Sequence, residues 1–426
     1  MKRNIGNLSI IVLVMLNVVV WLVFPPVNDG RENFARQYAG EVIGSGNIIL
    51  MAFSLFLSTR PKWAEPYFGG LDKMYVTHRH TSTAAFLLIF VHVLTVPISL
   101  EGWVLGNYLA VISFTGIVSI VVISLAPRVP FLNSITGGTY EGWKNLKKYI
   151  GIFFILGYIH ALTIRHTLDA FIAINWVQIF FIIGAVSYLY TEVFGRYFGK
   201  YVPYVVEAVN HPTNFTTEVV LRANGSPIPK QRAGQFLFVR FPKEPTLNES
   251  HPFTISSAPH EDVLRLTIKA SGDFTRALFT DLKPGTDAVI EGAYGMFDYK
   301  TGGQKQIWIA GGIGVTPFLA FVRDMRKTLD HDVDFYYAMR HRDEVLFYNE
   351  IETAGLRNPR LKVHIRYSAS GGSLTVDEIV KNAGGDVSGR HIYMCGPYPM
   401  VQAFTNKFRA LGVPVSNIHF EEFNFR

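Results

Sequence analysis

Three histidines stand inside apolar stretches of helical length, and each needs a chemical reason to be there. His78 and His92 share one stretch and lie 14 residues apart, which at the helical rise is roughly 21 Å along the axis and nearly on one face. His160, in FILGYIHAL, lies in a later stretch. Ligating or ionisable side chains in apolar spans are costly and functional by default; the alternative is a polar bridge between helices. The chain has one cysteine, Cys395, which excludes iron–sulfur clusters and multi-cysteine metal sites, because each needs several thiolates. Any redox metal must therefore hang on imidazole. Ligands spaced like His78 and His92 suit two stacked haems, with His160 as the partner of His92. Thirteen residues before His160, where a partner for His78 belongs, stands Lys147. An amine ligates only when neutral, which burial can achieve; otherwise Lys147 is a topology lysine beside Lys148.

The second half of the chain carries different chemistry. His251 to Ser257 read HPFTISS. A flavin needs an aromatic or aliphatic wall, a hydroxyl near its reactive nitrogen and neutralised phosphates, and Phe253 with Pro252, Thr254 and His251 can supply them; a plain turn is the alternative. Gly272, Asp273, Phe274 and Thr275 then open an apparent helix, so backbone amides and the Thr275 hydroxyl can meet a pyrophosphate there, with Lys269 adding charge. In AGGIGVTP the glycines Gly311, Gly312 and Gly314 let backbone approach a phosphate between a strand and a helix. MCGPYPM puts Cys395, Gly396 and Pro397 at the end of a strand, where doubly wound sheets bind ligands. Arg340 and Arg342 follow another strand, where Arg can accept a 2′-phosphate. This favours NADPH and leaves NADH open.

Six apolar stretches must hold the histidines: Leu8 to Phe24, Glu41 to Leu57, His78 to Ile98, Leu105 to Leu125, Tyr149 to Ile164 and Ile174 to Tyr190. Each approaches the roughly 20 residues that span a bilayer. No small-residue cleavage site follows Phe24, so the first stretch reads as retained. The formal net charge of +7 comes from Lys and Arg gathered between the stretches, which is a topology signal and not a nucleic-acid one. It puts the N-terminus and everything after Lys200 in the cytoplasm of a multi-pass plasma-membrane protein. From Tyr204 short alternating runs predict an antiparallel β-barrel, and from Gln306 strands alternating with helices predict a doubly wound parallel sheet. The expectation is a multi-domain membrane protein: a six-helix transmembrane bundle (1–200), a flavin barrel (201–302) and a nicotinamide α/β domain (303–426).

These motifs, in this order, resemble the ferric reductase and NADPH oxidase superfamily, prokaryotic type. His78, His92, His160 and Trp143 match its membrane domain, while Lys147 stands where the family has a histidine. The stretch 203–426 resembles the ferredoxin-reductase type of FAD/NAD(P)H dehydrogenase. The resemblance implies two b-type haems, the inner one with Lys147, His78 alone or His80, and FAD as the flavin. It also implies Thr316 and Pro317 on the nicotinamide side, Cys395 beside the hydride-donating carbon, a pocket-closing segment at Glu291 to Gly295, and a terminal aromatic, Phe425 or Phe423, over the flavin. Electrons would run from NAD(P)H through FAD and haem to oxygen, giving superoxide, or to a ferric chelate. A different class stays open: a membrane-anchored ferredoxin-type reductase or redox sensor without haem.

Overall fold

The computed structural model describes residues 4–98, 101–125, 146–164, 169–195, 201–225, 230–325 and 330–421. Trp143, Arg165, His166, Phe423, Phe425 and the Lys147 side chain lie outside the described residues. The chain divides into two compact units, one helical and one α/β.

The helical unit contains α1 (Ile5–Val23), α2 (Phe34–Ser58), α3 (Leu71–Thr95), α4 (Leu105–Leu125), α5 (Ile150–Thr163) and α6 (Phe171–Leu189). Four are long and apolar enough to cross a membrane: α1, α2, α4, and α6 with the π turn that follows it. α5 is apolar but shorter, and α3 carries Lys73, Arg79 and His80 in its first half. Large apolar side chains point outward, among them Leu8, Ile11 and Leu22 on α1 and Ile179 and Val186 on α6, as lipid-facing surfaces do and water-facing ones seldom do. Ile49, Ala52, Leu55, Phe154 and Phe180 make the interior. Four helices begin earlier than hydropathy suggests, α1 and α6 by three residues and α2 and α3 by seven, the last two because helical hydrogen bonding continues through polar turns such as Asp72-Lys73.

In the α/β unit, β1 (Tyr201–Thr213), β2 (Thr216–Ala223), β3 (Phe236–Arg240), β4 (His251–Thr254), β5 (Leu264–Lys269) and β6 (Asp287–Tyr294) form one six-stranded antiparallel sheet in the order β4-β3-β6-β1-β2-β5. The sheet curls: Ile255, just past edge strand β4, bridges Leu266 of the opposite edge strand β5. Helix α7 (Asp273–Asp281) follows β5. The HPFT motif, read from sequence as lying between strands, is itself β4.

A five-stranded parallel sheet follows, from β7 (Lys305–Gly311), β8 (Asp332–Met339), β9 (Leu361–Tyr367), β10 (His391–Cys395) and β11 (Ile418–Phe420), in the order β11-β10-β7-β8-β9. Helices α8 (Thr316–Asp324), α9 (Tyr348–Arg357), α10 (Val376–Asn382) and α11 (Tyr398–Ala410) connect them. α8 is buried almost throughout, with Phe318, Leu319, Ala320 and Phe321 fully enclosed. This is possible because Gly314, one turn ahead, lies against the end of β10: a Cβ there would stand 2.3 Å from the Cys395 carbonyl oxygen and 2.7 Å from the Gly396 nitrogen. Gly314→Ala is therefore expected to destabilise the α/β unit by about 1–3 kcal/mol through overpacking, read as a lower midpoint for thermal release of flavin fluorescence.

Candidate functional site

The three histidines of the helical unit share one local geometry. The Nδ1 of His92 faces the Gly40 carbonyl at 2.8 Å, that of His160 the Gly106 carbonyl at 2.9 Å, and that of His78 the Ser54 carbonyl at 2.9 Å. A carbonyl only accepts, so each Nδ1 carries the proton and each Nε2 keeps the lone pair, which is the tautomer that binds a metal. Ser54 supports His78 further, since its hydroxyl lies 3.2 Å from the same Nδ1 and 2.6 Å from the Ser82 hydroxyl. His80 is exposed on another face of α3.

His92 and His160 line one cavity of about 670 Å³ between α2, α3, α4 and α5, within the range usual for a bound organic ligand of roughly 300–1,000 Å³. Asn47 lines it too, buried and with its side-chain oxygen lacking a hydrogen-bond partner. Buried polar atoms seldom go unsatisfied, so the cavity's occupant is expected to supply a contact. Among the described residues no group of three His, Cys, Asp or Glu could hold a bare metal ion. A porphyrin iron needs only axial ligands, and two imidazoles lining one cavity fit that group. Glu32, Glu41, Glu101 and Arg31 also line the cavity, and Arg31 is paired with Asp29. The sequence showed no acidic cluster on this side because the three carboxylates come from separate segments.

Glycine makes this arrangement possible at two places. Gly40 and Gly44 sit four apart on the α2 face toward α3, and a Cβ on Gly44 would be 3.0 Å from the His92 ring. A Cβ on Gly106 would lie 2.6 Å from the Ile164 backbone nitrogen, where α4 begins beside the end of α5. The sequence reading missed Gly40, Gly44, Gly106 and Ser54; the small-xxx-small spacing of Gly40 and Gly44 was the available signal.

In the α/β unit, strand alternation turns His251 and Phe253 to one face of β4, where both meet Phe274 at the start of α7, with ring centroids at 3.9 Å and 6.2 Å. Thr254 is buried opposite Phe236. The Thr275 hydroxyl accepts from the amides of Ser271 and Gly272, both at 2.9 Å. It is therefore engaged in building the turn, and the helix-start amides of Asp273 and Phe274 remain to receive an anion. Lys269 lies 5.2 Å over the Phe215 ring. Edge strand, aromatic faces and helix start thus converge as a flavin dinucleotide requires.

The nicotinamide motif adjoins this one: the Gly312–Val315 turn touches β5, and Ala310 pairs with Cys395 across β7 and β10. Thr316 and Pro317 open α8 and are buried, and Pro397 packs on Gly311. Burial pushes the Cys395 thiol well above its ordinary pKa, with the carboxylate of Glu421 adding to the effect. Glu421, which the sequence reading passed over for its aromatic neighbours, is buried beside Gly295. Arg340 and Arg342 are exposed at the end of β8, and Arg366 follows them on β9, paired to Ala338.

Comparison with known proteins agrees in order and position. Residues 43–122 match the ferric reductase like transmembrane component, 207–305 an FAD-binding domain and 308–406 an oxidoreductase NAD-binding domain. The carnitine monooxygenase reductase subunit of Escherichia coli (strain K12) is 26% identical over 210 residues, covering 48% of this chain and 62% of the relative. NADPH oxidase 1 of Mus musculus is 26% identical over 181 residues, covering 38% and 29%. The chain thus spans less than two thirds of either relative. The crystal structure of a flavohemoglobin from Malassezia yamatoensis with bound FAD and heme shares the fold, with a TM-score of 0.52 at 17% identity over 90% of this chain and 95% of that one.

Two outcomes follow. Gly106→Val should move the carbonyl away from His160 and weaken haem retention ~10-fold or more with flavin content unchanged, measured as the Soret-to-flavin absorbance ratio. The native Cys395 thiol should resist alkylation near about pH 8, since only thiolate reacts, and should become reactive on unfolding. Rapid labelling of the folded protein, followed by mass spectrometry, would contradict its burial.

Proposed function

We propose that this NAD(P)H-dependent oxidoreductase, a ferric-reductase-like transmembrane component joined to FAD- and NAD-binding domains, carries electrons across a membrane from NAD(P)H to oxygen. The observation that carries the reading is the pairing of His92 and His160 on one cavity, each with Nδ1 bonded to a backbone carbonyl, in the same chain as the flavin and nicotinamide motifs. In the finer version the six helices all span the plasma membrane, the curled sheet acts as a barrel, and residues 1–200, 201–302 and 303–426 are the three domains, the last two cytoplasmic.

When bound, FAD would supply the exchange between two-electron and one-electron chemistry, and b-type haem one-electron relay. His92 and His160 would hold the outer haem, oriented by the carbonyls of Gly40 and Gly106. His78 would hold a second, inner haem, with Lys147 as its candidate partner; the exposure of His80 argues against that residue. His251, Pro252, Phe253 and Thr254 wall and orient the flavin, and Lys269, Gly272 and the start of α7 receive its phosphates. Gly311, Gly312, Gly314, Thr316 and Pro317 hold the nicotinamide half of the donor, and Gly396 and Pro397 keep β10 close enough for Cys395 to stand at the reacting carbon as a neutral thiol. Arg340 and Arg342 select NADPH over NADH through the 2′-phosphate. Phe425, with Phe423 as the alternative, covers the flavin.

Charge supports oxygen as the acceptor. Among the described residues, three carboxylates and one guanidinium, the latter paired with Asp29, line the cavity that holds His92 and His160. Such a wall opposes an anionic ferric chelate and leaves neutral oxygen unaffected.

NADPH addition to the purified, cofactor-loaded protein is expected to produce sharp haem bands with two haems per FAD, and oxygen consumption accompanied by reduction of a superoxide probe that superoxide dismutase abolishes. Reduction of an iron-chelate indicator that persists with superoxide removed would make it a ferric reductase, and a flavin-only spectrum would leave an anchored reductase. His92→Ala should abolish the outer haem while leaving NADPH-driven flavin reduction within about twofold, since separate sites behave additively.

A further inference from the structure

Arg323, in the last turn of α8, is almost enclosed, with 11% of its side chain exposed. It holds four partners on three segments. Nη1 donates to the Ser256 carbonyl at 2.9 Å, Nε and Nη2 donate to the Glu350 carboxylate at 2.7 and 2.9 Å, and Nη2 lies 3.5 Å from buried Glu218. The guanidinium also lies 4.9 Å over the Phe347 ring, whose residue takes the left-handed backbone (φ 53°) at the start of α9. Glu218 lies on β2 and Ser256 just past β4, in the antiparallel part; Arg323 and Glu350 lie on helices α8 and α9 of the parallel part.

The position of these bonds along the chain matters. Ser256 lies two residues beyond Thr254, in the segment that runs on from β4. α8 is one rigid helix that starts at Thr316 and Pro317. A planar fork fixed at both ends leaves little freedom in distance or angle. We infer that Arg323 is a positioning residue that sets how the nicotinamide carbon approaches the flavin. The inference rests on electron entry from NAD(P)H to FAD as proposed above. Hydride transfer is steeply sensitive to such placement, with a shift near an ångström costing on the order of a hundredfold.

The test uses full-length, FAD-loaded protein mixed anaerobically with excess NADPH. Flavin bleaching and the long-wavelength absorbance of nicotinamide stacked on oxidised flavin are followed together. Arg323→Gln should lower the limiting bleaching rate ~10-fold or more and weaken the long-wavelength band, while half-saturating NADPH changes by less than about twofold, the signature of an effect on the reacting complex alone. Arg323→Lys, which keeps the charge but not the fork, should recover part of the rate. A lower melting temperature with unchanged rate and band would overturn the inference and leave Arg323 a structural bond. If the Arg323 variants do not fold, Glu350→Gln removes one arm at a half-exposed position and should slow bleaching in the same direction; an unchanged rate there also overturns it. A wild-type protein whose flavin is bleached by neither nucleotide overturns the electron-entry reading and this one with it, whereas a competent wild type with unaffected variants overturns this one alone.

Discussion

The bond from a histidine Nδ1 to a backbone carbonyl is the constraint on which the helical unit turns. Imidazole is amphoteric: it can serve iron through one nitrogen only if the other is satisfied as a donor. Water cannot do that within an apolar bundle, and side-chain acceptors there would bring charge. The carbonyl oxygens of Gly40 and Gly106 can, because a carbonyl has a second lone pair beyond its helical bond. Each such bond contributes only about 0.5–1.5 kcal/mol net, too little to hold helices together. Its work is orientation, and the aromatic and aliphatic contacts around Ile49, Phe154 and Phe180 supply the cohesion.

Close approach is the condition for that bond, so packing and chemistry are one requirement. A side chain at Gly106 would strike the backbone at Ile164, and one at Gly44 would press on the His92 ring. The α/β unit meets the same requirement at Gly314, where a helix start lies against the end of β10. It answers some of its polar groups from within the sheet: Trp308 donates to Gln306, whose amide donates to the Tyr299 carbonyl. The neutral thiol of Cys395 belongs to this interior.

Much of this was legible in residue order. The parallel strands expected from Gln306 are there, and β7, β8 and β10 were the plainest because parallel strands buried on both faces are continuous apolar runs. The six apolar stretches are helical, but four of the helices started earlier than read, since hydropathy reports burial in lipid and not where the hydrogen-bond ladder begins. β4 escaped recognition because four residues with a central proline carry no alternation to detect; pairing with β3 makes it a strand. Glu421 was overshadowed by nearby phenylalanines, and its place beside Gly295 depends on β11 pairing with β10. The carboxylates at 32, 41 and 101 come together only through folding, which no local pattern encodes. Lys147 stays where sequence left it, its side chain outside the described residues.

His78 bears on that last question through cost. A histidine that merely bridged two helices could use either nitrogen and any acceptor. His78 instead repeats the arrangement of His92 and His160, with Nδ1 on a backbone carbonyl, and adds the Ser54 hydroxyl on the ring, itself bonded to that of Ser82. Ser54 and Ser82 are themselves polar residues placed in helices against a preference for apolar ones, so this support carries a cost that a spacer role does not repay. The ring is thus held in one orientation through Nδ1.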